Sequence, residues 1–329
     1  MNFDFNEEQT MIMDGIARYI REEYDFDRRR SIIESDSACS DDVWRQFSEL
    51  GWLSIPFDES YGGFGGHADD LAGVMLELGK GLIIEPYMST VVVFGSLLNA
   101  SNNDSLKEQL IPRIINGQYK GSFAYAEEQS RFEISDVKTS AQKCGDGYKL
   151  NGTKIAVIDA KESDGLIVTA RTEGSQYGRE GISLFLVDTS AEGVAVSSYN
   201  TMDSHSSSTI NLENVFVTEA NLIVDEGEGF RHIESCLPQI LLCLSAEALG
   251  IMEVLNRLTV EYSKTRKQFG APIGSFQALQ HRMVDNFMAF EQSKSMVYRG
   301  ICESTSFNKN DIDINQFLQL INYNLKDFV

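Results

Sequence analysis

Apolar residues recur every three to four positions up to about residue 118, at every second position from there to about residue 226, and every three to four again beyond it. Helical, then strand, then helical runs bury their faces in segregated layers, so the switch in period predicts an α+β fold. It divides the chain into an N-terminal α-helical domain over 1–118, a middle β domain over 119–226 and a C-terminal α-helical domain over 227–329. In the first segment Asn6 is placed to cap a helix carrying Ile12, Ile16, Tyr19 and Ile20. A second helix follows Ser40, with Asp41 and Asp42 at the positive end of its dipole and Val43, Phe47 and Leu50 on one face. Helical spacing returns at Leu71, Val74, Met75 and Leu78, and again at Leu106, Leu110, Ile114 and Ile115. The middle segment holds short β-branched and aromatic runs at 121–126, 148–150, 154–158, 166–170, 183–187, 194–196, 209–212 and 215–218. Their spacing suggests a barrel or sandwich. The last segment reads as a long helix over about 229–266, a second after Pro272 to about Cys302, and a third after Asp311.

Charge and composition narrow the function. Lys and Arg number 28 against 49 Asp and Glu, a net charge of −21. Bulk charge therefore repels nucleic acid and anionic membranes, and an anionic ligand needs a local basic corner. Five cysteines form no C-x-x-C pair and four histidines are scattered, which predicts reduced thiols and no metal site. The longest apolar stretch, 82–98, is broken by Glu85, Pro86, Ser89 and Thr90, so no membrane-spanning helix is expected. The acidic start, MNFDFNEEQ, has no leader-like apolar region, and a cytoplasmic protein is expected. Tyr61-Gly-Gly-Phe-Gly-Gly66 lacks the strand-to-helix setting of a nucleotide loop and reads as a turn. Ser204-His-Ser-Ser-Ser208 has no third partner for a nucleophile and reads as a polar loop.

The local exception to the negative charge is the segment from Tyr262 to Arg282. A helix end carries Lys264, Arg266 and Lys267, then comes a Gly-Pro turn, then a helix expected to be capped at Ser275. Cations at a helix C-terminus are common in their own right. The order Arg266-Lys-Gln-Phe269-Gly270 followed by Phe276-Gln277 nevertheless closely resembles the R-x-x-F-G…F-Q signature of the acyl-CoA dehydrogenase family. Gly51-Trp-Leu with Pro56 and Tyr61-Gly-Gly63 resembles the family's G-W-x…P-E-x-x-G-G loop. Leu110-Ile-Pro-Arg-Ile-Ile-Asn-Gly117 resembles its L-P-x-x-x-x-G turn, and Asn151-Gly-Thr-Lys154 its L-N-G-x-K strand entry. The resemblance covers nearly the whole chain, ends before the family's last helices, and implies a C-terminal domain that is an incomplete four-helix bundle.

The resemblance implies an FAD enzyme that dehydrogenates an acyl-CoA thioester and passes electrons to an electron-transfer flavoprotein. It implies that Arg266, Phe269, Ile273 and Gln277 clasp the adenosine diphosphate part of a neighbouring subunit's FAD. It places Phe123, Tyr125, Ala126, Phe132, Ala156 and Ile158 where a subunit holds its own flavin. Several of those positions depart from the family. Ala126 stands for a threonine, Phe132 for a serine, and Ala156-Val-Ile158 for Trp-Ile-Thr. A catalytic glutamate is also missing from its usual places: one lies beyond the end of this chain, and the other falls on Ile240. Glu247, two turns further along the same helix face, is the candidate base, and it also suits a packed structural role. Three functions follow. The chain is a self-sufficient dehydrogenase, or the smaller subunit of a heteromeric one that completes the FAD site of a larger homologous subunit, or a flavin-free acyl-CoA-binding scaffold. Retention of the Arg266 corner beside a changed flavin wall favours the second, in a dimer or tetramer.

Overall fold

The structure, a computed structural model, describes residues 5–306 apart from 36 and 38. The helix expected after Asp311 lies outside the described residues. Helices fill the chain up to Ile115, strands the stretch Gly121–Thr218, and helices the stretch from Gly229. These are the helical, strand and helical segments that the switch in period predicts. The described chain divides into two compact units, one made of the segments up to Arg28, His67–Ile83 and Leu241 onward, the other of Arg29–Gly66 and Ile84–Ile240.

The first unit holds α1 (Glu7–Glu23), α4 (Ala68–Gly81), the later part of α7 (Gly229–Thr265) and α8 (Gln277–Ser306). Asn6 caps α1 reciprocally: its side chain accepts from Gln9 N at 2.8 Å, and its own N–H donates to the Gln9 side chain at 2.9 Å. Gln9 then donates to Asp69 at 2.8 Å and Asp70 at 3.0 Å, tying two helix starts together. Helices α4 and α7 touch backbone to backbone at two glycines. A Cβ on Gly79 would lie 2.2 Å from the Glu247 carbonyl oxygen, and one on Gly250 would lie 2.0 Å from that of Leu76. Gly250→Ala is therefore expected to destabilise by about 1–3 kcal/mol through overpacking. Gly15→Ala, where a Cβ meets nothing within 4 Å on α1, should instead stabilise by a few tenths to about 1 kcal/mol. Urea unfolding of both variants checks the pair; equal midpoints would show that the helix crossing is not as close as described.

Among the described residues, Gly229–Thr265 is one helix long and apolar enough to cross a membrane by length and composition. The sequence reading overlooked it by counting only uninterrupted apolar runs. A helix apolar on most sides is also what the middle of a bundle requires.

The second unit carries the later part of α2 (Phe26–Ile33), α3 (Asp41–Glu49), a wide π-helical stretch, Tyr87–Phe94, that continues as α5 (Gly95–Asn99), and α6 (Asp104–Ile115). Its sheet has the strands β1 (Gly121–Ala124), β2 (Ser140–Cys144), β3 (Gly147–Ile158), β4 (Gly165–Arg171), β5 (Ile182–Asp188), β6 (Val194–Asn200) and β7 (Ser206–Thr218). They pair in the order β1-β4-β2-β3-β7-β6, with β5 on β4. The β domain is thus one curled mixed sheet, with β1 parallel to β4. The runs at 148–150 and 154–158 belong to one strand, interrupted by irregularities at Leu150/Gly152 and Lys154/Val157. The runs at 209–212 and 215–218 likewise join as β7. The core face is filled by Tyr148, Leu150, Val157, Val168, Phe185 and Ile210. The loop after Tyr61 is a packing turn: a Cβ on Gly63 would sit 1.9 Å from the Phe57 carbonyl oxygen. The serine run reads partly as loop and partly as strand, with Ser206, Ser207 and Ser208 paired in β7 to β6.

Candidate cofactor site

A lysine on the inward face of β3 organises the β domain. Lys154 is 0% exposed, and its Nζ lies 2.7 Å from Glu127 Oε1 and 2.8 Å from Thr169 Oγ1. Glu127 also accepts from Lys138 N at 2.8 Å, Thr139 N at 3.0 Å and the Gln129 amide at 2.8 Å. Burial opposes ionisation of Glu127, but Lys154 and these donors outweigh it and hold the carboxyl at about 2. Burial lowers Lys154 to about 8 against the pull of Glu127, so the pair is ionised at neutral pH. Sequence reading noted Asn151-Gly-Thr-Lys154 as a strand entry and missed the pair. The available signal was a lysine at an inward position of an alternating strand.

The pair adjoins residues expected at a subunit's own flavin: Lys154 Nζ lies 3.4 Å from the Tyr125 carbonyl. Phe123 and Tyr125 stack at 5.2 Å where β1 ends. The Ala126 carbonyl accepts from Ile155 N at 2.9 Å, which pins the following loop to β3. Ala156 has φ 51° at the irregularity in β3. The structure thus brings Phe123, Tyr125 and Ala126 to the same stretch of sheet as Ala156 and Ile158. Phe132 stands apart on the loop, fully exposed at 100%, while Ile158 is 45% and Tyr125 38% exposed. Apart from the Tyr125 phenol, these side chains offer aromatic and aliphatic surface and no hydrogen-bond donor. Their donor set does not fit a flavin that must be held by side-chain hydrogen bonds.

The basic corner, in the other unit, does fit an anionic dinucleotide. Helix α7 ends at Thr265, and the chain makes a tight hairpin of β8 (Lys267–Gln268) and β9 (Ala271–Pro272). Phe269 and Gly270, at φ 52° and 81°, form its turn. Arg266 closes the hairpin by accepting from Ile273 N at 2.8 Å. Its side chain is exposed and makes no ion pair among the described residues. Phe269 is 94% exposed and meets Phe276 edge-on at 6.2 Å. Gln277 is exposed at the start of α8, and Ile273 is partly buried. Ser275 does not cap α8: its hydroxyl turns back to the Pro272 carbonyl at 2.7 Å, and the helix starts two residues later.

Glu247 lies on α7 in the first unit, where its backbone carbonyl packs against Gly79. One turn earlier, burial and then the charge of Glu247 raise the Cys243 thiol well above its ordinary range. No cluster of three or more His, Cys, Asp or Glu suited to a metal occurs among the described residues.

The chain is similar to known proteins along most of its length. The acyl-CoA dehydrogenase N-terminal, middle and C-terminal domain models match residues 6–118, 122–215 and 227–306. The probable acyl-CoA dehydrogenase YngJ of Bacillus subtilis is 31% identical over 304 residues, covering 91% of this chain and 80% of its own. The short-chain specific acyl-CoA dehydrogenase of Megasphaera elsdenii is 31% identical over 264 residues, 77% of this chain and 68% of its own. The FAD complex of PigA has a TM-score of 0.87 at 25% identity, covering 98% of this chain and 86% of that one.

Proposed function

This chain belongs to the acyl-CoA dehydrogenase family, and from that premise we propose that it is the smaller subunit of a heteromeric, FAD-dependent acyl-CoA dehydrogenase. Its Arg266–Phe269 corner completes the FAD site of a larger homologous subunit. The observation that carries the reading is the contrast between two surfaces. The corner presents an exposed guanidinium and an exposed ring, which suit a pyrophosphate and the dinucleotide beside it. The flavin wall has lost side-chain donors at Ala126, Phe132, Ala156 and Ile158. The pattern of the whole chain resembles the small subunit of pimeloyl-CoA dehydrogenase. When bound, FAD supplies the hydride acceptor for oxidation of an acyl-CoA thioester. The residues of this chain bind and orient that group from outside.

An electron-transfer flavoprotein is the electron acceptor under this reading, in a dimeric or tetrameric cytoplasmic assembly. The division 1–118, 119–226 and 227–329 remains part of the proposal. Glu247 is the candidate base under this reading, with a packed structural role as its alternative. A flavin-free acyl-CoA-binding scaffold is the alternative.

The chain expressed alone is expected to purify nearly colourless, since each lost hydrogen bond to an anionic cofactor costs about 1.5–3 kcal/mol. Co-expression with a full-length dehydrogenase homologue should give a yellow complex. Stoichiometric FAD in the singly expressed chain would overturn the subunit reading.

A further inference from the structure

We propose that residues 311–329 fold back as an amphipathic helix into the groove between α7 and α8 and cover its apolar face. The placement does not depend on the subunit reading. The groove lies within the first unit and is lined by Val260 and Lys264 on α7 and by Gln280, Met283, Val284 and Phe287 on α8. It has a volume of about 580 Å³ there and continues past Asn256 and Arg257 to Phe290. Its apolar side chains are open to solvent: Val260 is 38% exposed, Val284 54% and Phe287 56%. On α8 the lining positions fall three and four residues apart, so they form one stripe along the helix. A contiguous apolar stripe on a chain of net charge −21 calls for a cover.

The last stretch of sequence matches that cover in period, reach and charge. Ile314, Phe317, Leu318, Ile321, Leu325 and Phe328 recur every three to four residues, with Gln316, Gln319 and Lys326 opposite them. Helix α8 ends at Ser306, and only Phe307 to Asn310 separate it from Asp311. A connection that short joins antiparallel neighbours. Asn310 is placed as the cap, with Asp311 and Asp313 in the first turn. The stretch 311–329 then spans about 28 Å as a helix, the same rise that separates Ser306 from Phe287 along α8. Its last turns therefore arrive at the groove. Lys264 is exposed there and forms no ion pair among the described residues, and Asp327 comes to its level. A second molecule would have to bring a comparable stripe from solution. This one is tethered by a short turn, at an effective concentration of about millimolar.

Cysteine pairs in the full chain read the register. Phe287→Cys with Phe328→Cys should form an intramolecular disulfide under mild oxidation, in a yield that does not change with protein concentration. Phe287→Cys with Lys326→Cys, at a similar depth on the polar side, should form at least roughly tenfold less. Ile321→Asp with Leu325→Asp should speed amide exchange at 256–264 and 283–290 at least about tenfold, and leave β4 and β5 unchanged. Lys264→Glu should speed it roughly two- to fivefold, and Asp327→Lys in the same chain should restore it. A disulfide formed only between two molecules, rising with concentration, would put a second copy in the groove and overturn the proposal. Unchanged exchange in the Ile321→Asp, Leu325→Asp chain would overturn it too. So would protection of the groove that appears only when a full-length homologue is added. Flavin content in either preparation bears on the subunit reading alone.

Discussion

Replacing Lys154 by methionine is expected to lower the unfolding free energy by about 3–5 kcal/mol. The change strands Glu127 as a buried carboxylate whose closest charged partner, at 2.7 Å, has gone. Removing both charges should do much less harm. Glu127→Gln combined with Lys154→Met should recover most of the loss, because a pair that is buried together costs desolvation on both sides. The pH dependence follows from Glu127. Its carboxyl, held at about 2 in the fold, ionises near 4.3 when unfolded. A depressed carboxyl contributes stability that is fully present above the unfolded value and is lost as pH falls through the range from about 4 to 2. The wild-type chain should therefore lose stability in that window more steeply than the double variant. Urea titrations at neutral pH and across the acid window check both statements. A single-variant loss under about 1 kcal/mol would show that the pair is not buried as described.

Arg266→Ala, made only in this chain, is expected to weaken FAD binding by a full-length partner roughly ten- to hundredfold, with the partner's own sequence untouched. The bland reading of Arg266 is a cation at the end of α7, worth ~0.3–1 kcal/mol to folding and nothing to the cofactor. The FAD measurement separates the two readings. An exposed guanidinium without an ion partner among the described residues has little to lose on folding and much to offer a pyrophosphate. Arg266→Lys should rescue only part, since a point charge does not reproduce the two-pronged contact. Dialysis of the complex followed by FAD titration measures the effect. Full FAD content in the Arg266→Ala complex would remove the residue from the site.

How much was legible in the sequence depends on how local each feature is. Asn6 caps α1 as the sequence led one to expect, while its reciprocal partner Gln9, three residues on, went unread. The long helix expected over about 229–266 is α7, Gly229–Thr265. Its period is carried by neighbours one turn away. Helix α2, with Asp27 and three consecutive arginines, shows little apolar periodicity and went unread. So did β2, Ser-Ala-Gln-Lys-Cys, whose polar residues reveal a strand only once β3 lies beside it. The bulged strands β3 and β7 were read as fragments because an inserted residue inverts the alternation on either side of it.

The periods, the Asn6 cap, the charge balance and the Arg266–Phe269 signature were fixed by the order of residues alone, since each rests on groups within a turn or a hairpin of one another. Only the tertiary structure decided that Lys154 pairs with Glu127, that Arg171 gathers carbonyls from two loops, and that Gly79 and Gly250 mark a helix crossing. The physical reason is that burying a charge or closing a backbone contact is favourable only when particular partners arrive from elsewhere in the chain. Until the sheet folds, Lys154 is indistinguishable from any other lysine.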